Sequence, residues 1–175
     1  LLLNTLSWLD RIRSKTIDIS RSANVFQTIR LMVNVSKEAA SHPQIQALAA
    51  ELRRGTVADS LAAIISWVHS AVVYRAHPDG FQWVRSPLRT LDDGVGNCVD
   101  YSVLIGSILG AMGYDYSFRL VGYRSPFEYD HVFVVVDGIA VDPVATQRQD
   151  GTDTVYNRKD PVLGYTIPYL HSLDI

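Results

Sequence analysis

Cys98, His131 and Asp142 are a thiol, an imidazole and a carboxylate, the three groups needed for attack on a carbonyl by an activated sulfur. Cys98 is the chain's one cysteine, and it follows Gly94-Val95-Gly96-Asn97, where a glycine-bearing loop turns into a long apolar run. Unpaired backbone N–H groups and the positive end of the helix dipole gather at such a helix start, so a thiolate there is stabilised. A lone cysteine is more often a small buried hydrophobe. The pattern becomes a nucleophile only if a base stands beside it.

The next hairpin supplies the base. His131 opens the run His-Val-Phe-Val-Val-Val, Asp137-Gly138 is a two-residue turn signal, and residues 139–142 return. With Asp137 and Gly138 as the turn, Val136 faces Ile139, Val134 faces Val141 and Phe133 faces Asp142. Opposed residues share a face, and so do residues two apart on one strand. Asp142 therefore lies diagonally beside His131, roughly 7 Å away between backbone positions and within reach of a side-chain hydrogen bond. Taken alone, His131 reads equally well as a hydrogen-bonded strand histidine. With Cys98 and Asp142 it completes a nucleophile, a general base and an orienting carboxylate. The other face of the hairpin, Val132, Val134, Val136, Ile139 and Val141, is apolar and expected to pack on the cysteine helix.

Gly96-Asn97-Cys98-Val99-Asp100, the apolar helix ending in Gly113, Phe118-Arg119-Leu120-Val121, Asp130-His131-Val132 and Val141-Asp142-Pro143 together resemble the core of the transglutaminase-like superfamily. Upstream, the run from Ala49 through Trp67-Val68, Tyr74 and Ser86-Pro87 to Thr90-Leu91 is similar to its prokaryotic and phage-associated branch. The resemblance covers about residues 28–145. It implies a papain-like fold and a thioester intermediate, and it places the chain among cysteine peptidases, transglutaminases and members that have lost activity. Two positions depart from the pattern: Asn97 stands where many relatives carry an acidic residue, and Ile139-Ala140 replaces a common tryptophan. An acyl-transfer site also needs donors for the oxyanion. The Cys98 backbone N–H is one. In this superfamily a side chain upstream of the cysteine commonly serves as another, which makes Gln82 and Trp83 candidates; Asn97 joins them as an oxyanion or substrate-binding residue.

The elements that position these residues are legible from apolar spacing. Val103, Leu104, Ile108, Leu109 and Met112 mark one buried face of the cysteine helix, with Gly106 and Gly110 leaving room for close packing and Gly113 as the stop. Upstream, helices are expected over residues 28–41, 44–54 and 57–73. Their stripes are Ile29, Met32, Val33 and Val35; Ile45, Leu48, Ala49 and Leu52; and Leu61, Ile64, Ile65, Val68 and Val72, with Thr56 capping the last. His69 lies inside that helix and reads as a packed or surface residue. Residues 74–91 form a long loop leading into the cysteine and walling the cleft. Residues 116–122 alternate as a strand, and residues 123–130 are a polar loop whose Arg124, Glu128 and Tyr129 could touch substrate. Residues 3–14 read as a short amphipathic helix, 17–24 as a polar connector, 146–159 as a loop and 160–175 as an extended tail carrying Tyr165 and Tyr169.

Composition bounds the rest. The chain has 175 residues, 47% of them hydrophobic, enough for one domain with a sizeable core. It is expected to divide into an N-terminal helix and connector (1–27), a catalytic core (28–145) and a C-terminal loop and tail (146–175). A formal net charge of -2 offers no basic field for nucleic acid. Leu1–Leu9 is apolar, but Asp10, Arg11 and Arg13 end it short of the roughly 20 residues of a membrane span, and charges after the apolar run are in the wrong order for a signal peptide. With no zinc-binding pattern, Walker loop or dinucleotide fingerprint, no cofactor and no metal are expected.

These readings converge on an α+β, papain-like or transglutaminase-like domain. Its N-terminal half is helical, and its catalytic cysteine starts a central helix packed on an antiparallel β-sheet. The expected activity is thiol-dependent amide hydrolysis on a protein or peptide substrate, in a cytoplasmic or virion-associated setting. Hydrolysis is favoured by the resemblance to the prokaryotic branch and by a chain too short for the extra domains of animal crosslinking enzymes. Two alternatives stand beside it. One is protein-glutamine acyl transfer, if an amine rather than water resolves the thioester. The other is a phage virion or tail component using the fold as scaffold, assembling through the N-terminal segment and the C-terminal tail.

Overall fold

The computed structural model describes residues 16–19, 25–76, 82–122, 129, 131–146 and 171–175. Along the chain lie β1 (Thr16–Ile19), α1 (Val25–Ala39), α2 (Pro43–Leu52), α3 (Val57–Ala71), β2 (Val73–Tyr74), β3 (Gln82–Arg85) and α4 (Pro87–Asp93). They are followed by β4 (Val95–Gly96), α5 (Cys98–Met112), β5 (Ser117–Gly122), β6 (His131–Val136), β7 (Ile139–Val141), α6 (Pro143–Thr146) and β8 (His171–Asp174). Helices dominate the first half and an antiparallel sheet the second, as the apolar patterns predict.

The cysteine helix α5 is the hub. Its spacing suggests one buried face, yet every residue from Val99 to Leu109 is buried, because α1 and α2 cover one side and β6 the other. A helix enclosed on all sides belongs to the centre of a domain rather than its surface. Close approach is possible because of Gly106: a methyl group there would meet Ser36 Oγ of α1 at 2.8 Å and the Tyr116 ring at 2.8 Å. Around α5, the expected stripes of α2 and α3 are buried, and Ile29 and Met32 of α1 join the same core. Val33 and Val35 pack at its edge. The helix ends at Gly113, whose φ of 77° is the left-handed stop that glycine adopts without strain.

The main sheet has the order β7-β6-β5-β8, with every pair antiparallel. The β6–β7 register places Val136 opposite Ile139 and Val134 opposite Val141, and the turn residues Asp137 and Gly138 take φ of 49° and 79°. Both values are left-handed, as a tight primed hairpin turn requires. One face of the sheet contributes Phe118, Leu120, Val132, Val134, Val136 and Val141 to the core around α5. The opposite face forms a second small cluster of Val121, Phe133, Val135 and Ala140. Ile139, expected with the first face, is instead 37% exposed at the hairpin end.

Two sequence expectations are corrected. Residues 74–91 are not a structureless loop: they include β3, paired with β1, and α4, while Tyr74 belongs to β2, paired in parallel with β4. Ser86 caps α4 by accepting the Arg89 N–H, Pro87 occupies its first turn and Gly94 ends it at φ 62°, a cap-proline-glycine signature visible in the sequence. Residues 17–19 of the expected polar connector belong to strand β1. The last residues of the expected extended tail lie on the body as strand β8, with Arg119 opposite Asp174 and Gly122 opposite His171. The remainder of that tail, the expected helix at 3–14, and Arg124 and Glu128 lie outside the described residues. Among the described residues no helix is long and apolar enough to cross a membrane.

Candidate active site

Cys98 is the first residue of α5, and its position is set by a closed network of hydrogen bonds. The Asn97 side-chain oxygen accepts the N–H groups of Val99 at 3.0 Å and Asp100 at 3.1 Å. In return the Asp100 carboxylate accepts the Asn97 N–H at 3.1 Å, a reciprocal capping box. Asp100 has no exposed surface. Its charge is compensated by Arg85, whose guanidinium lies at 2.7 Å from one carboxylate oxygen and whose own N–H donates to the other at 2.9 Å. Removing one partner of such a pair would strand a buried charge. Strand β3 and the cysteine turn are therefore clamped together.

His131 opens β6, and Asp142 follows β7 one residue beyond Val141. The His131 Nε2 and an Asp142 carboxylate oxygen are 2.7 Å apart, so the diagonal relation expected from the hairpin register is present. The other Asp142 oxygen accepts the Val144 N–H at 3.1 Å. His69, at the end of α3, contacts the Pro143 carbonyl oxygen through Nε2 at 2.7 Å. This last link ties the helical half of the domain to the turn that carries Asp142. With Nε2 engaged by Asp142, Nδ1 is the ring nitrogen left to act on the Cys98 thiol.

The electrostatics follow from this geometry. Burial works against a charged imidazole, but the neighbouring Asp142 carboxylate, the hydrogen bonds to Asp142 and Cys98, and the Cys98 charge outweigh it. The His131 pKa rises from 6.5 to about 10. Tyr74 stands near the same charges: its phenol is raised above 10.0 by burial first, then by the fields of Cys98 and Asp142. The ring packs edge-on against Tyr101, one turn after the cysteine, with centroids 5.8 Å apart.

One further contact joins nucleophile and base. The Ser102 hydroxyl proton is shared between the Cys98 carbonyl at 2.7 Å and the Val132 carbonyl at 3.2 Å. The helix turn carrying the thiol is thereby tied to the residue after the imidazole. Ser102, His69 and Arg85 are support that sequence reading missed. Serine four residues after the cysteine carries no pattern of its own, and the other two act across long stretches of chain.

The remaining candidates are placed as follows. Asn97 is buried at the N-cap. Trp83 lies on β3 opposite Asp18, and Gln82 on the same strand opposite Ile19; the Gln82 side chain is outside the described set. Beside Cys98 and His131 opens a cavity of about 240 Å³, lined by Val25, Thr28, Ile29, Met32, Val99, Leu120, Tyr129 and Val132. Trp83 and Asn97 are not among its lining residues. Among the described residues no group of three or more His, Cys, Asp or Glu side chains is placed to hold a metal ion.

Residues 46–155 match a family model described as the transglutaminase-like superfamily. That span contains Cys98, His131 and Asp142 and leaves α1 outside it. No curated protein matches the chain. Among solved structures, one described as "a Putative Cysteine Protease from Cytophaga hutchinsonii" is similar, at 16% identity and a TM-score of 0.44. The match covers 75% of this chain and 48% of that one, so this chain spans about half of its length.

Proposed function

We propose that this chain, which belongs to the transglutaminase-like superfamily, is a thiol-dependent amide hydrolase, a cysteine peptidase or amidase acting through Cys98, His131 and Asp142. The observation that carries this reading is the 2.7 Å contact of His131 Nε2 with Asp142, made where Cys98 and His131 line the same cavity. Asp142 holds the Nε2–H and leaves Nδ1 as the nitrogen that exchanges a proton with sulfur. Because the His131 pKa is raised to about 10, the ring keeps its proton near neutral pH and stands as an imidazolium beside Cys98.

In the reaction the sulfur forms a bond to the amide carbon and the carbonyl electron pair moves to oxygen. Val99 and Asp100 N–H groups are committed to the Asn97 side chain, so the Cys98 N–H is the donor in that turn left for the developing oxyanion. As the carbon–nitrogen bond breaks, the imidazolium gives its Nδ1 proton to the leaving amine. A thioester remains. Neutral Nδ1 then takes a proton from water, the resulting hydroxide adds to the thioester, and the carboxylic acid leaves as the thiolate is restored.

The test is the pH dependence of Cys98 alkylation by iodoacetamide in the parent and in His131→Ala. Rapid modification near neutral pH that falls sharply in the variant is the expected result. An ordinary thiol profile in both proteins would sink the catalytic reading. Where the thiolate is active, incubation of peptide amides with and without a primary amine separates hydrolysis from acyl transfer.

A further inference from the structure

The cavity beside Cys98 and His131 has a composition that its neighbours do not explain. Val25, Ile29, Met32, Val99, Leu120 and Val132 give it apolar walls, Thr28 and Tyr129 add hydroxyls, and His131 is its one ionisable imidazole among the described lining residues. Among the described lining residues there is no Asp, Glu, Lys or Arg. At about 240 Å³ it is smaller than the roughly 300 Å³ or more of pockets that enclose whole ligands. It is the size for one large side chain or alkyl group.

Its wall has two origins. Cys98, Val99, Leu120, Tyr129, His131 and Val132 lie within the stretch matched by the superfamily model, whereas Val25, Thr28, Ile29 and Met32 come from α1, ahead of residue 46 where the match begins. Ile29 and Met32 are buried in the core, so this wall is packed in place. The reacting groups therefore lie within the matched stretch, and one side of the adjoining pocket is supplied by α1, which precedes it.

We propose that this cavity is a specificity subsite that takes an uncharged aliphatic or aromatic group next to the scissile amide, with α1 selecting it. The inference rests on the hydrolase reading for the identity of the substrate. An apolar group entering the pocket leaves water for the aliphatic side chains of α1, Val99, Leu120 and Val132, whereas a carboxylate or ammonium seated against those side chains would lose hydration.

The test compares second-order rates of Cys98 modification by N-hexyl-iodoacetamide, N-(3-carboxypropyl)-iodoacetamide and N-(3-aminopropyl)-iodoacetamide, each divided by the rate with iodoacetamide itself. The parent should prefer the hexyl reagent over both charged reagents by about tenfold or more. Thr28→Asp, which puts a carboxylate into the α1 wall, should reduce the hexyl ratio and raise the aminopropyl ratio. Equal ratios for the three reagents in the parent would overturn the subsite, as would a Thr28→Asp preference unchanged in a protein that still melts cooperatively. The iodoacetamide pH profile reports separately on the thiolate. A fast thiolate without chain preference refutes the subsite alone, and chain preference with an ordinary thiol profile refutes the catalytic reading alone.

Discussion

Arg85 and Asp100 are joined twice, guanidinium to carboxylate at 2.7 Å and backbone N–H to carboxylate at 2.9 Å. Asp100 also closes the capping box that starts the cysteine helix. The same carboxylate therefore neutralises a largely buried arginine, holds β3 and shapes the turn bearing the thiol. Asp100→Ala should destabilise the fold by about 3 kcal/mol, the usual cost of removing one partner from a buried pair. Urea denaturation is the measurement. Asp100→Asn should recover part of the loss by keeping a hydrogen-bond acceptor, and equal stability of all three proteins would show that the clamp contributes nothing.

Stability should depend on pH through His131. Its folded pKa of about 10 lies above the 6.5 of the exposed group, so the folded state binds the proton more tightly. The resulting stabilisation is fully present below about pH 6.5 and is lost as pH rises towards 10. The denaturation midpoint of the parent should fall over that window more steeply than that of His131→Ala. Parallel curves would contradict it.

Asp142→Asn keeps the shape of the side chain while removing the charge that does most to raise the His131 pKa. Protonated His131 should then persist only to lower pH. The iodoacetamide rate in the neutral range should drop by about tenfold or more, as one pKa unit corresponds to about 1.4 kcal/mol. An alkylation profile identical to the parent's would remove Asp142 from the proposed mechanism.

Ser102 reaches both the Cys98 and Val132 carbonyls. Ser102→Ala should cost about 1 kcal/mol in stability, the net worth of a typical hydrogen bond, and should also slow Cys98 alkylation because the helix and strand lose their tie. A stability loss without any change in alkylation rate would assign Ser102 to packing alone.

Gly106→Ala places a methyl group 2.8 Å from both Ser36 Oγ and the Tyr116 ring. Overpacking of this kind costs about 1–3 kcal/mol. Ser36→Ala vacates one of the two contacts without placing glycine in α1 but also removes the Ser36–Tyr116 hydroxyl hydrogen bond, so Gly106→Ala should cost less in the Ser36→Ala background than in the parent. A thermal melt of the single and double variants checks both signs.

Much of this fold is written in short-range patterns. Asp137-Gly138 with flanking alternation determines the β6–β7 register, because a two-residue turn and a period of two leave one pairing that buries the valines. That register in turn puts Asp142 beside His131. The start of α5 at Cys98 follows from Asn97 and Asp100, three residues apart in a capping box, and the stripes of α2 and α3 follow from helical spacing. The chemistry proposed for these residues is a reading of their juxtaposition.

Tertiary structure decided the rest, since it depends on which distant segments meet. The region at 74–91 looked like loop because its short strands have no stability of their own: β2 exists through pairing with β4, and β3 through pairing with β1. Burial of α5 on every side needed α1, α2 and the sheet to converge on it, which apolar spacing along one helix cannot reveal. His69 and Pro143, 74 positions apart, meet only after α3 and the hairpin have packed. The same packing lays α1 beside the thiol. Local free energies choose helices, turns and register; the entropy of closing long loops is repaid only by the assembled core, and the surroundings of Cys98 were settled there.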